Sequence, residues 1–308
     1  MIFQIDKSFS DSISAVQRSE LYSNIIVHGH YVDCDEDLRN LYYQDINNYG
    51  SKLQRNLMKK DPSLKLNPQV RKYLTVLKTA VFSLQQLMVL VNKPARLMVE
   101  NRANESPVYR HIIWTYASAD KKFRNVFIKL RQALKDGELD FENGGGCDAY
   151  IRQMEDFNQN EYMGVTKYKF CILTDRDTDD EQTYCYKKDP LFKAVCGKDY
   201  TNIKEDDIYT LNRQNYVWHM WYKRAIENYF PDSQYIAINV DMTTMPTTPV
   251  DRNYKNLGKM ARYKKHDLQK LTTGMSYAMY ENGLKHFYID NVEMSELQLF
   301  LLKLMKII

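Results

Sequence analysis

The 308-residue chain is 44% hydrophobic and 27% charged, a globular balance with enough apolar material for a sizeable core in one large domain or two ordinary ones. Its net charge of +4 permits contact with nucleic acid without demanding it. Five cysteines without any Cys-x-x-Cys spacing argue against a disulfide framework and a zinc site, and for reduced thiols in a cytoplasm.

The N-terminal residues Met1 to Asp6 carry no basic segment followed by an apolar one, so no secretory signal is expected. No apolar run reaches membrane-spanning length, since Thr75 to Val91 is interrupted by Lys78, Gln85 and Gln86, and no membrane contact is expected. Residues 1–94 read as a mainly helical region. Within it Ile25-Ile26-Val27 reads as a short strand and Leu38 to Leu53 as a helix. His28 and His30 have no further ligands beside them and read as packing or solvent residues. Asn67-Pro68 has the pattern of an N-cap followed by proline at the first helical position. Leu74, Leu77, Val81, Leu84, Met88 and Val91 then recur at helical spacing, predicting one apolar helix face that ends at Asn92-Lys93-Pro94.

After Pro94 the pattern alternates. Ala95 to Val99 reads as a strand delivering Glu100 at its end. A helix is predicted from about Val108, and another carries Phe123, Phe127, Leu130 and Leu134 to a stop at Asp136-Gly137. Leu139-Asp140-Phe141 reads as a brief strand, followed by Gly144-Gly145-Gly146, where the backbone has unusual freedom, and by a helix with Ile151 and Met154. The apolar run Phe170 to Leu173 reads as a buried parallel strand. It breaks straight into acid: five of the seven residues from Asp175 to Glu181 are carboxylates. Strand, helix, strand, helix, strand predicts an α/β fold with a parallel sheet.

Residues 178–205 read as a polar surface insertion containing Lys187, Lys188, Lys193 and Lys198. Asp207 to Leu211 and Tyr235 to Val240 read as strands, and Trp221 to Pro231 as a helix. A last helix is predicted from near Asn291, with Met294, Leu297, Leu301, Leu304 and Ile308 on one face.

The chemistry concentrates at the predicted strand ends. Asp175 and Asp177 are two apart, so an extended backbone aims both to one side. Active sites in open α/β sheets lie beyond the carboxyl ends of the strands. On its own an Asp-x-Asp pair is more often a solvated acidic turn. Here Glu100 ends another strand of the same predicted sheet and Glu227 follows later. Such acids can converge on one or two divalent ions, which when about 3.5–4 Å apart stabilise the attacking and leaving oxygens of a phosphodiester.

The Glu100 of Leu97-Met98-Val99-Glu100 and the pair in Leu173-Thr174-Asp175-Arg176-Asp177 resemble the glutamate and Asp-x-Asp of a Toprim domain, the catalytic module of topoisomerases, bacterial primases and OLD-type nucleases. Ile226-Glu227-Asn228-Tyr229-Phe230 resembles a segment of OLD-type enzymes and of the Toprim effector subunit of the PARIS phage-defence system. The resemblance covers roughly residues 95–260. It departs at Asn101, where Toprim usually has glycine, and at Asn104, where OLD-type nucleases have a second acid; Glu105 lies beside it.

The resemblance implies a Toprim-like core over 95–260 with an insertion around 178–205, and a C-terminal helical segment, 261–308, packed on it. It implies a nuclease dependent on Mg²⁺ or Mn²⁺ that cleaves DNA or RNA, tRNA included, as a cytoplasmic anti-phage effector. Glu100, Asp175, Asp177 and Glu227 would be catalytic and metal-binding, with Asn104 or Glu105 as a further ligand and Lys259 beside the leaving oxygen. Lys255, Arg262, Lys264 and Lys265, in a basic and aromatic run, would track phosphates. The alternative is an interaction subunit held or triggered by an ATPase partner, its nuclease activity latent or absent. A homodimer is expected, the commonest symmetric assembly.

Overall fold

The structure, a computed structural model, describes residues 1–59, 61–180, 185–212, 215–262 and 265–308, with no side-chain description of Lys265 and His266. Two parallel sheets share one continuous apolar core.

The N-terminal region holds a sheet as well as helices. Its elements are β1 (Ile2–Gln4), α1 (Lys7–Asp11), α2 (Ala15–Val27), β2 (Tyr31–Asp33), α3 (Glu36–Tyr49), α4 (Lys52–Met58), α5 (Pro68–Tyr73), β3 (Val76–Lys78) and α6 (Leu84–Asn92). The three strands pair in parallel in the order β2-β1-β3. Ile25-Ile26-Val27 is the end of α2 rather than a strand. The reciprocal Ser14–Gln17 capping box starts that helix, and Leu21 with Ile25, and Tyr22 with Ile26, stack buried one turn apart. The long helix expected from Leu74 to Val91 is interrupted. Leu77 pairs with Phe3 of β1, and Ser83, capping the amide of Gln86, begins a new helix. Asn67 does cap a helix with proline at its start, but α5 is only six residues long.

The second sheet carries the acids. It is built from β4 (Ala95–Val99), α7 (Arg102–Ala119), α8 (Arg124–Lys135), β5 (Leu139–Asn143), α9 (Cys147–Asn160), α10 (Thr166–Lys169), β6 (Phe170–Thr174), α11 (Asp189–Cys196), α12 (Glu205–Ile208) and β7 (Val217–Met220). All four strands run parallel in the order β5-β4-β6-β7, as the alternation predicts over 95–177. The fourth strand, Val217-Trp218-His219-Met220, was not among the expected ones. Its side chains are all buried, and His219 is held 3.3 Å from Glu296, a partner 77 residues away in sequence. The lysine-rich stretch after β6 is no mere surface excursion: α11 buries Leu191, Phe192 and Val195 and packs on α9.

The rest follows as α13 (Asp232–Ala237), α14 (Pro249–Tyr254), α15 (Leu257–Met260), α16 (Tyr277–Glu281), β8 (His286–Ile289), β9 (Val292–Ser295) and α17 (Glu296–Leu304). Asp207 to Leu211 begins as the end of α12, and Tyr235 to Ala237 lies in α13, so neither is a strand. Trp221 to Pro231 is irregular chain with one 3₁₀ turn, Ile226–Tyr229. Asn291 starts no helix. With Asp290 it makes the two-residue turn of the β8–β9 hairpin, both at positive φ (51° and 61°). The helix begins at Glu296 behind the Ser295–Gln298 capping box. Every residue of α17 is buried, so it is a core helix rather than an amphipathic surface one. No helix among the described residues is long and apolar enough to cross a membrane.

Candidate active site

In the second sheet the chain leaves β4 for β5 on one side and returns past it to β6 on the other. The strand order therefore reverses between β4 and β6, the place where open α/β sheets leave a crevice beyond their carboxyl ends. Glu100 follows β4 directly and Asp175 follows β6 directly. Both face one cavity of about 400 Å³, which is also lined by Asn104, Glu105, Asp177, Glu227 and Lys259. All seven catalytic and metal-binding candidates from the sequence thus border a single space.

Local structure explains each placement. Arg176, between the two aspartates, is buried and reaches the Tyr209 hydroxyl at 3.2 Å, as alternation along an extended chain requires. The amides of Arg176 and Asp177 donate to the Arg224 carbonyl. Asp177 then turns into the left-handed region, at φ 59°. Asn101 is the N-cap of α7. Its amide donates to Glu105 Oε1 at 2.8 Å, and the Tyr109 hydroxyl donates to Glu105 Oε2 at 3.2 Å, so Glu105 is held in the first turn of the helix. Glu227 comes from the 3₁₀ turn, not from the expected helix. Asn228 secures that turn by donating to the carbonyls of Arg252 (2.8 Å) and Lys255 (3.0 Å), which brings the segment carrying Lys259 alongside. Beneath the turn, the buried Glu296 accepts from the Tyr222 amide at 2.6 Å and the Tyr229 hydroxyl at 2.5 Å.

The glycine loop holds the Glu100 peptide. The amide of Gly144 donates to the Val99 carbonyl and that of Gly145, at φ 65°, to the Glu100 carbonyl. Tyr150 lies directly under the loop and its hydroxyl donates to the Leu173 carbonyl of β6 at 2.9 Å. A Cβ at Gly144 would fall 2.3 Å from the Tyr150 ring. Gly144→Ala should therefore cost about 2 kcal/mol through the displaced ring and loop, read as a lowered urea midpoint with an unchanged m-value.

Burial pushes the Glu105 carboxyl up to about 8, with the charges of Glu227 and Glu100 adding to it and the Asn101 amide opposing. Asp175 is pushed well above the ordinary carboxylate range by burial, then by Glu227, Glu105 and Asp177, while Lys188 opposes. The donors are oxygen throughout, which suits a hard cation such as Mg²⁺ or Mn²⁺ in chemistry. Their spacing does not close round one: among the described residues no group of three or more His, Cys, Asp or Glu side chains is arranged to hold a metal ion.

Lys188 is the residue that sequence reasoning passed over. It is buried, its ammonium lies 2.6 Å from Asp177 Oδ2, and it donates to the Asp175 carbonyl. The only local signal was Asp189-Pro190, which marks the start of α11 just after it. Of the basic run, Lys259 and Arg262 are exposed and Lys255 is half-buried. Lys264 lies outside the described residues, as does the side chain of Lys265. His28 pairs with Glu138 at 2.7 Å and His30 packs on Phe3. All five cysteines are free. No protein-family model, curated protein or solved structure matches the chain.

Proposed function

We propose that the cavity is the active site of a Toprim-type nuclease that hydrolyses phosphodiesters of DNA or RNA with a divalent cation. The observation that carries this reading is the convergence of Glu100, Glu105, Asp175, Asp177 and Glu227, from separate strand ends and turns, on one space at the sheet's switch point. Carboxylates crowded round one cavity repel one another and cost the folded state free energy, which a bound cation relieves. Mg²⁺ or Mn²⁺ held there by Asp175, Asp177 and Glu100 would polarise the phosphoryl oxygen and acidify a water. In the metal-free chain Glu105 is pushed up to about 8 by burial and by the charges of Glu227 and Glu100; a bound cation would draw it down, leaving a carboxylate able to accept a proton from water. Lys259, exposed at the rim, places positive charge where a leaving oxygen would develop negative charge.

The basic run Lys255 to Lys265 supplies the phosphate-tracking surface in this proposal. The resemblance extends it to an anti-phage effector, working as a homodimer or under an ATPase partner.

One experiment tests the activity and the surface together. The purified chain is incubated with plasmid, single-stranded DNA and tRNA in Mg²⁺ or Mn²⁺, with EDTA as control. Metal-dependent cleavage of at least one substrate is expected. Reversing Arg262, Lys264 and Lys265 to glutamate should weaken binding and lower the salt dependence by roughly one counterion per charge. Substrates left intact in both metals would overturn the reading of an autonomous nuclease. An unchanged salt slope would reassign the basic run to bare surface.

A further inference from the structure

Lys188 sits where a metal-dependent site would want a second cation or none. It precedes α11 in the turn Tyr186–Lys188, is 5% exposed, and engages both acidic positions after β6: the side chain of Asp177 and the main-chain carbonyl of Asp175. An ammonium among carboxylates is a monovalent substitute for a divalent ion, offering charge and three donors but no fixed coordination shell. Asp177 is thus already paired, and among the described residues no three acids are spaced to hold an ion. A second cavity of about 140 Å³ is lined by Glu100, Gly145, Cys147, Asp175, Asp177 and Lys188 itself.

We propose that Lys188 is a tethered cation that competes with the divalent ion for Asp177, so that Asp177 stays paired until metal displaces the ammonium. The proposal rests on the reading of the main cavity as a metal-dependent active site. Physically it is a two-state exchange: the ion pair is made in the metal-free state and broken in the loaded one. The apparent metal affinity is therefore reduced by the fraction of molecules in which Lys188 still holds Asp177. No covalent step is involved.

The test uses the full chain and Mn²⁺ alone. Calorimetric titration compares the parent with Lys188→Met, Lys188→Arg and the pair Asp175→Asn/Asp177→Asn. Lys188→Met should bind Mn²⁺ about tenfold more tightly, and Lys188→Arg close to the parent. Unchanged or weaker binding by Lys188→Met overturns the competition.

A second measurement needs no variant. Reductive methylation of the parent, read by peptide mass, should find Lys188 protected without metal and modified once Mn²⁺ is added. Protection that Mn²⁺ leaves unchanged overturns the displacement, whatever the affinities. The acid variant separates the two levels of argument. If it binds Mn²⁺ as the parent does, the metal-site reading itself fails. If it loses binding while Lys188→Met matches the parent, the competition alone fails.

Discussion

Asp175→Asn is expected to abolish metal-dependent cleavage, by about a thousandfold or more, while making the metal-free protein more stable by about 2 kcal/mol at neutral pH. The two effects have one cause. Asp175 sits among Glu227, Glu105 and Asp177 and is pushed well above the ordinary carboxylate range by burial and by their charges, so its ionised form opposes folding. Asparagine keeps the shape and removes the charge. The Asp175 carbonyl that accepts from Lys188 is main chain and survives the change. Asp177→Asn should lose activity as well, but without the gain in stability. Asp177 is paired with Lys188 at 2.6 Å, and neutralising it leaves a buried ammonium without its partner. Urea unfolding in EDTA and a cleavage assay in Mg²⁺ read both quantities. Full cleavage by Asp175→Asn would remove Asp175 from the active site. A variant that fails to fold would make the acidic run structural.

Glu105 should make the stability of the metal-free protein fall as pH rises. Its carboxyl titrates near 8 in the folded chain against an ordinary value of 4.5. Between those values the folded chain keeps a proton that the unfolded chain has released, so each rise in pH favours unfolding. The slope is at most about 1.4 kcal/mol per pH unit. It begins near the unfolded value and ends near the folded one. Glu105→Gln cannot titrate, and its amide oxygen can still accept from the Asn101 amide. Parent and variant should therefore be close at about pH 4.5 and diverge towards pH 8, with the variant the more stable by a few kcal/mol. Urea midpoints in EDTA across that range check it. Parallel curves for the two proteins would show that Glu105 is ionised in the folded state throughout.

The helices that could be read from the sequence were those whose signals are local. Phe123, Phe127, Leu130 and Leu134 share the buried side of α8, and Asp136-Gly137 closes it because the stop lies within one turn of the last apolar residue. The β4 and β6 strands were legible because each is a short, mostly apolar segment that ends at an acid. Where signals were short or mixed, tertiary contacts decided. Val76–Lys78 falls inside an apparent helix face, yet it is recruited as a strand by β1. Tyr235 to Val240 alternates like a strand, yet it starts as a helix covering the turn that carries Glu227, with the Tyr235 hydroxyl donating to the Glu227 carbonyl at 2.7 Å. The strands of the first sheet are three residues long, too short for a period of two to show.

The same division runs through the site. Glu100, Asp175 and Asp177 could be singled out from the chain alone, because an acid after an apolar strand is a local pattern and open parallel sheets place such ends in a crevice; Glu227 was singled out by the resemblance of the string around it, and it lies in a 3₁₀ turn. Composition and alternation likewise determined the α/β class. Only the folded chain decided which lysine matters. Lys187 and Lys188 are neighbours in one polar stretch, yet Lys187 is exposed and Lys188 is buried against Asp177. That choice depends on α11 docking its Leu191, Phe192 and Val195 into the core. Burial and partner charge are properties of what surrounds a side chain in space. For Lys188 and Glu296 those surroundings come from residues 11 to 77 positions away, where no local spacing rule reaches.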